Sequence, residues 1–430
     1  MLSVFTSAFT TPDLRRKLLF TLGMIAVFRL GSVVPTPGVD VGAINRCFTQ
    51  AGNTGIYGLI NLFSGGALLQ LSVFALGIMP YITASIILQL LTVVIPRLEA
   101  LKKEGQAGQA KITQYTRYLT IGLAVLQSAS FITLARTGNL FPGCNEQLIP
   151  DESVWNLVVM ILVMTSGTAV VMWLGELITD RGVGNGMSVL IFTSVVATFP
   201  AALWSIRLET NWATFLVVCA IGLAVIVAVV FVEQSQRRIP VQYAKRMVGR
   251  RSYGGATTYI PLKINQAGII PVIFASSILY IPVLLSALNP DASWSVWLQR
   301  AFGGNGDTAV YMASYFLLIV FFTYFYVAIT FNPSEVADNM KKYGGFIPGI
   351  RAGRPTEEYL DYVLSRLTFP GSLYLAVIAL IPNIAVALLG VATYLPFGGT
   401  SILIMVGVGL ETVKQIDSQL QQRSYEGFLR

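Results

Sequence analysis

Between Arg46 and Arg97 the chain carries no charged residue, and from Asn61 to Val94 nearly every side chain is apolar or small. A membrane-spanning helix needs ~20 consecutive apolar residues. This run is too long for one crossing and lacks the polar turn that two full crossings require. The extra apolar piece before Phe74 therefore needs its own place in the fold. Apolar blocks of about 20 residues recur along the rest of the chain, the pattern of a polytopic membrane protein. Only 12% of the 430 residues are charged, against about 25% in a soluble domain.

The blocks predict ten spans, near residues 18–34, 73–95, 118–135, 154–174, 186–205, 213–232, 267–288, 310–330, 370–389 and 400–416. The first follows "LRRKLLF" and lacks a small-residue cleavage site, so it reads as a span and not as a removed signal peptide. The connecting segments alternate in charge. The N-terminal segment, Arg181, the loops 96–117, 233–266 and 331–369, and the tail hold 24 of the 29 Lys and Arg residues. The positive-inside rule then places both termini in the cytoplasm. Ten spans divide into five and five, residues 1–206 and 207–430. An odd-numbered half reverses its orientation in the second half, so the count admits an inverted repeat, although no sequence repeat accompanies it.

Two cytoplasmic loops are long. Residues 233–266 include "QRRIPVQYAKRMVGRRSYGGATTYIPLK", with seven Lys/Arg and interleaved Tyr243, Tyr253 and Tyr259. Residues 331–369 include "NPSEVADNMKKYGGFIPGIRAGRPTEEYL". Loops of this length in compact proteins are commonly functional or disordered. A solvated basic loop would satisfy the orientation rule with two or three charges. Alternation of β-branched, aromatic and basic residues over nearly thirty positions points instead to a hairpin-like arm for an acidic partner, be it protein, RNA or anionic lipid.

Enzyme chemistry finds little support. The chain has no histidine, which removes HExxH zinc sites and Ser-His-Asp triads. Cys47, Cys144 and Cys219 match no metal spacing. Cys47 and Cys144 fall on one side of the membrane, where a disulfide can form, and the sequence leaves their pairing open. "DRGVGNGMS" holds a G-x-G-x-G at Gly182, Gly184 and Gly186. No βαβ pattern surrounds it, so it reads as a flexible entry to the fifth span and not as a nucleotide motif. Charges within spans are few, among them Arg29, and Glu411 near the end of the last. That scarcity argues against a proton-coupled transporter, since intramembrane ionisable groups mark ion pathways.

Ile78, Ile82 and Ile86 fall at i, i+4 and i+8, on one helical face, and Met187 and Ile191 share the spacing. Such a stripe taken alone most often faces lipid. Nearby stand uncharged polar residues: Thr83, Ser85 and Gln89 in the second span, Asn265 and Gln266 at the entry to the seventh. Bonds between such groups in membranes average only ~0.6 kcal/mol, which suits a contact that must open as well as close.

The stretches "FSGGALLQLSVFALGIMPYITASIILQLL", "KKEGQAGQAKITQYTRYLT", "MWLGELITDRGVGNGMSVLIF", "QRRIPVQYAKR", "NQAGIIPVIFASSIL", "FNPSEVADNMKKYGGFIPGIRAG" and "FGGTSILI" resemble the SecY family of protein-conducting channels, from about Leu14 to Tyr425. The resemblance implies an all-α polytopic membrane protein: ten transmembrane helices in two pseudo-symmetric five-helix halves around a central pore. It implies that Asn61 to about Leu71 is a short helix folded back as a plug, with Asn61, Leu62, Phe63, Ser64, Gly65, Gly66, Ala67 and Leu68 as its body. Ser64, Gly65 and Gly66 would break its helicity. It implies a pore ring of Ile78, Ile82, Ile86, Met187, Ile191, Ile273 and Ile404, aliphatic groups that gate by dewetting and close fit. Thr83, Gln89 and Asn265 become a lateral gate, and Lys245, Arg250, Arg251 and Arg351 partner-docking residues.

Implied partners are SecE and SecG subunits, the SecA ATPase, the ribosome, secretory and membrane polypeptides, and the phospholipid membrane, with no small-molecule substrate. No cofactor is expected, and no enzymatic activity. The expected function is passage of unfolded polypeptides across the cell membrane and release of apolar segments sideways into lipid. The alternative is a secondary transporter with a five-plus-five inverted repeat that binds a small solute at the bilayer midplane.

Overall fold

The structure, a computed structural model, describes residues 9, 11–51, 65–68, 70–136, 147–151, 153–209, 211–243, 246–248, 251–253, 257–288, 292–302, 308–389 and 399–426. It is mostly helical, and each of the ten apolar blocks falls on a helix. Helix α1 (Pro12–Val33) is followed by the short α2 (Val41–Ala51). Then come α3 (Met79–Val94), α4 (Pro96–Lys103), α5 (Gln106–Arg136), α6 (Val154–Arg181), α7 (Gly186–Glu209) and α8 (Trp212–Gln234). Strands β1 (Gln236–Tyr243), β2 (Arg246–Val248), β3 (Arg251–Tyr253) and β4 (Thr257–Lys263) precede α9 (Ile270–Leu288), α10 (Ser293–Phe302), α11 (Ala309–Thr330) and α12 (Pro333–Lys342). The two-residue β5 (Gly345–Phe346), α13 (Arg354–Leu389) and α14 (Gly399–Glu426) complete the order.

The count of ten spans is not confirmed among the described residues. Among the described residues five helices are long and apolar enough to cross a membrane: Gln106–Arg136, Val154–Arg181, Phe215–Gln234, Ala309–Lys342 and Arg354–Ile381. A sixth is counted if α3 and α4 form one broken span. Two of the remaining blocks have local features that set them apart. α1 carries Arg15, Arg16, Lys17 and Arg29 within its 22 residues. α7 and α9 are helical over 24 and 19 residues and continue through Pro200 and Pro282. The second block is helical only from Met79, and its axis turns by 100° into α4. Pro96 accounts for that break, since it pushes Ile95 into extended backbone, φ −100° and ψ 110°.

The basic loop is a correction to an all-helical fold. β1 pairs antiparallel with β4 from Gln236↔Lys263 to Gln242↔Thr257, and β2 pairs with β3 beyond them. Ile239 and Val241, two positions apart, point into a small core, while Arg238 lies outside over the ring of Tyr259 at 4.8 Å. This period of two is what a half-buried strand requires. β5 adds to the free edge of β1 through Gln242↔Phe346 and Tyr243↔Gly345. The two long loops therefore form one module around Ile239, Val241, Leu262, Met340, Ile347, Leu360 and Val363.

Helix contacts run α3 to α5 to α6 to α7 on one side and α9 to α11 to α13 on the other. The two series meet where α14 packs on α7 and where α9 meets α3 and α5. Cys47 is disulfide-bonded and Cys219 is free, while Cys144 lies outside the described residues.

Candidate functional site

Six of the seven expected ring residues converge from four elements. Ile78 at the start of α3, Ile191 of α7, Ile273 of α9 and Ile404 of α14 are buried in one cluster, with Ile82 and Met187 packed against it. Ile86 belongs to the larger core cluster instead. Phe28 of α1 and Phe74 complete the wall, stacked at 6.1 Å between ring centroids.

On one side of this junction lies a cavity of about 460 Å³. Ile82, Ile86, Met187, Ile191 and Ile273 form its apolar wall, and Gln89, Thr113, Arg117, Glu176, Thr179, Asp180 and Asn185 its polar one. Arg117 Nε and Nη2 donate to the two Glu176 oxygens at 2.8 Å each, a fork-to-fork pair from α5 to α6, and Nη1 donates to Gln114 Oε1 at 3.1 Å. Bidentate geometry of this kind fixes orientation as well as adding energy. Sequence reading placed Arg117 among loop charges and missed the pair, because its partner lies 59 positions away. A second cavity of about 360 Å³, bounded by α3, α5 and α11, shares Tyr81, Ser85, Gln89 and Thr113 with the first.

On the other side of the junction lies the glycine turn. Asn61, Leu62, Phe63 and Ser64 lie outside the described residues. Gly65, Gly66, Ala67 and Leu68 form a turn and not part of a helix, with φ of 68° at Gly65 and 92° at Gly66. Glycine adopts these angles without steric cost. The following segment continues as successive turns. Leu71 N donates to Leu68 O at 2.9 Å, Ser72 N to Ala67 O at 3.1 Å and Gly77 N to Phe74 O at 2.8 Å. Thr36 N to Leu71 O and Val73 N to Val34 O tie it to the chain just after α1. Leu68 and Leu71 are fully buried in the larger core cluster and not in the ring cluster. Arg29 Nη1 donates to Gly65 O at 2.9 Å, and Gly65 abuts Ser194. Along α7, Ser188 lines the cavity, Ile191 lies in the apolar cluster and Ser194 meets the turn, about 9 Å from first to last.

The proposed gate residues are not brought together. Thr83 Oγ1 donates to Met79 O, and Gln89 Nε2 to Ser85 Oγ at 3.4 Å, both within α3. Asn265 Nδ2 donates to Glu233 Oε1 at 2.6 Å and to Gly268 O at 3.2 Å. It joins the end of α8 to the approach to α9. The helices α3 and α9 do share a wall, since Gln89, Ile269, Ile270 and Phe274 line the same cavity. Of the docking residues, Arg351 is exposed in the turn between Gly349 and Gly353, at φ 84° and 105°. Arg251 lies on β3, and Lys245 and Arg250 lie outside the described residues. The G-x-G-x-G turn packs helices. Gly186 N donates to Thr179 Oγ1 at 2.9 Å, Val183 N to Thr21 Oγ1 at 3.1 Å, and a Cβ at Gly186 would strike the Gly175 carbonyl.

An apolar constriction at a helix junction, with a polar cavity on one side and a buried turn on the other, is the arrangement of a gated membrane channel. The SecY family model matches residues 72–413. The chain is 66% identical to protein translocase subunit SecY of Streptomyces coelicolor and 60% identical to that of Mycobacterium tuberculosis, each over all of both chains. Among solved structures it is similar to one described as a protein conducting channel, with a TM-score of 0.64 at 19% identity, over 93% of this chain and 91% of that one. A second, a SecY protein whose plug domain is described as stabilising the closed state, gives a TM-score of 0.62 at 17% identity, over 93% and 91%. Sec61 in a canine ribosome-channel complex gives 0.60 at 18%, over 93% and 91%. The chain belongs to the SecY family. It is a multi-pass membrane protein, and the five-plus-five transporter finds no support among these relatives.

Proposed function

We propose that this chain is the channel subunit of a protein translocase, a passive conduit for unfolded polypeptides with no enzymatic step of its own. The observation that carries the reading is the stack along α7: cavity at Ser188, apolar ring at Ile191, buried turn at Ser194. The cavity admits an extended chain on one side. Isoleucine and methionine side chains close around segments of varied sequence because they impose no hydrogen-bond geometry. Residues 61–71 act as the plug that fills the pore at rest. The helices of 1–206 and 207–430 act as two halves, and apolar client segments leave between α3 and α9.

The basic module of β1, β4 and β5 with Arg351 faces the cytoplasm, as do both termini, and docks the ribosome or the SecA ATPase. SecE and SecG complete the complex in the cell membrane. The charge bias of the loops supports this orientation, and the ribosome complex of Sec61 supports such a partner. Reconstitution of the complete complex in vesicles tests the reading. A signal-bearing polypeptide is expected to cross only with the motor and ATP present. Accumulation of a small solute along an ion gradient, without polypeptide transport, would overturn it.

A further inference from the structure

A cation inside an apolar helix is costly and is held by a partner that matters. Arg29 lies one turn before the end of α1 and forms no ion pair among the described residues. Its Nη1 donates instead to the carbonyl of Gly65, 36 positions away, at 2.9 Å. The contact is built with little slack. A Cβ on Gly65 would lie 2.6 Å from Arg29 Nη1 and 3.1 Å from Ser194 Cα, so the turn is held between α1 and α7. The preceding residue, Phe28, is 1% exposed and belongs to the ring cluster. The bond therefore joins a helix of the constriction to the first described residue of the turn beyond it. The bonds from Thr36 N to Leu71 O and from Val73 N to Val34 O, by contrast, are backbone bonds that any side chain would allow. The Arg29 bond depends on one side chain, and it is charge-assisted, roughly twice as strong as a neutral one.

We propose that Arg29 is the latch of the idle channel: its guanidinium holds the Gly65 carbonyl, and with it the plug-bearing turn, against α7 until a client releases it. Arg29 is a positioning residue and touches no client in the closed state. The proposal rests on the reading of residues 61–71 as a plug.

Single-channel recording of the complete complex in planar bilayers, without motor or client, tests it. Arg29→Ala is expected to raise the frequency of idle openings about tenfold, the factor that a hydrogen bond to a charged group commonly carries. The conductance of each opening should be unchanged. Arg29→Gln, which removes the charge with less loss of volume, is read in the same way should the alanine variant fail to accumulate. Gly65→Ala should leak as well, and the double variant Arg29→Ala/Gly65→Ala no more than the leakier single. A merely structural arginine would lower thermal stability in detergent and leave opening frequency alone, which would overturn the latch. Additive leaks in the double variant would overturn it too, since the two residues would then act apart. Deletion of residues 61–71 separates the two levels. A leaking deletion with a silent Arg29→Ala removes the latch and keeps the plug, and silence of both removes both.

Discussion

At the residue scale, small side chains decide how closely the elements of the site approach. Gly31 faces Phe74, and a Cβ there would run into the ring that stacks on Phe28. Gly31→Ala should cost about 1–3 kcal/mol by overpacking and shift the thermal midpoint of the purified complex downward. An unchanged midpoint would show that the wall yields freely. Arg351 is exposed and contributes little to folding, yet a positioned charge-assisted bond to a partner carries about 1.5–3 kcal/mol. Arg351→Glu should stop polypeptide transport while abundance and folding stay at wild-type levels; normal secretion would remove the docking role. The isoleucine stripe was legible in the sequence as a helical face, but the convergence of Ile191, Ile273 and Ile404 on Ile78 was not, since it depends on long-range packing. The Arg117–Glu176 pair was hidden for the same reason.

At the scale of elements, hydropathy located the helices and misjudged how several begin and bend. The run before Met79 is apolar enough for a helix, yet Gly65, Gly66 and Gly77 at positive φ and Leu71 at 43° keep it in turns. Pro80 in the first turn of α3 was the available signal for its start, because proline is suited to that position. The strands of the basic loop were legible as a hairpin from their alternation, whereas the addition of β5 from a loop about a hundred residues away was not. Asn265 shows the limit of composition: polar residues near the same depth on two helices suggest a seam, but its amide goes to Glu233. Two of the expected gate residues, Asn265 and Gln89, should therefore separate in experiment. Asn265→Leu abandons a partly buried carboxylate, at about 1.5–3 kcal/mol, and should lower stability. Gln89→Leu, on the shared wall of two cavities, should leave stability near wild type and shift the hydrophobicity a client segment needs for lateral exit. Equal effects of both variants on that threshold would contradict this division.

At the scale of the whole molecule, two packed helix series meet at α7–α14 and at α3–α9, and the apolar cluster proposed as the ring sits where they join. Such a junction can widen if the series part, and it seals when they close, because aliphatic groups exclude water from a narrow bore. Deletion of residues 61–71 should leave an inserted complex, since α3 and the other helices of the ring remain. It should raise ion leak and relax the demand for a good signal sequence. The claim beneath all of this is that a translocating chain passes through the ring. Site-specific crosslinking of a stalled secretory polypeptide tests it most directly, with photoreactive probes at Ile82 and Ile191. Control probes belong at Leu162 and Phe231, which are 60% and 74% exposed on the outside of α6 and α8. Adducts at Ile82 and Ile191 and none at the two controls are the predicted result. Adducts at the controls alone, or at all four positions equally, would contradict passage through the ring.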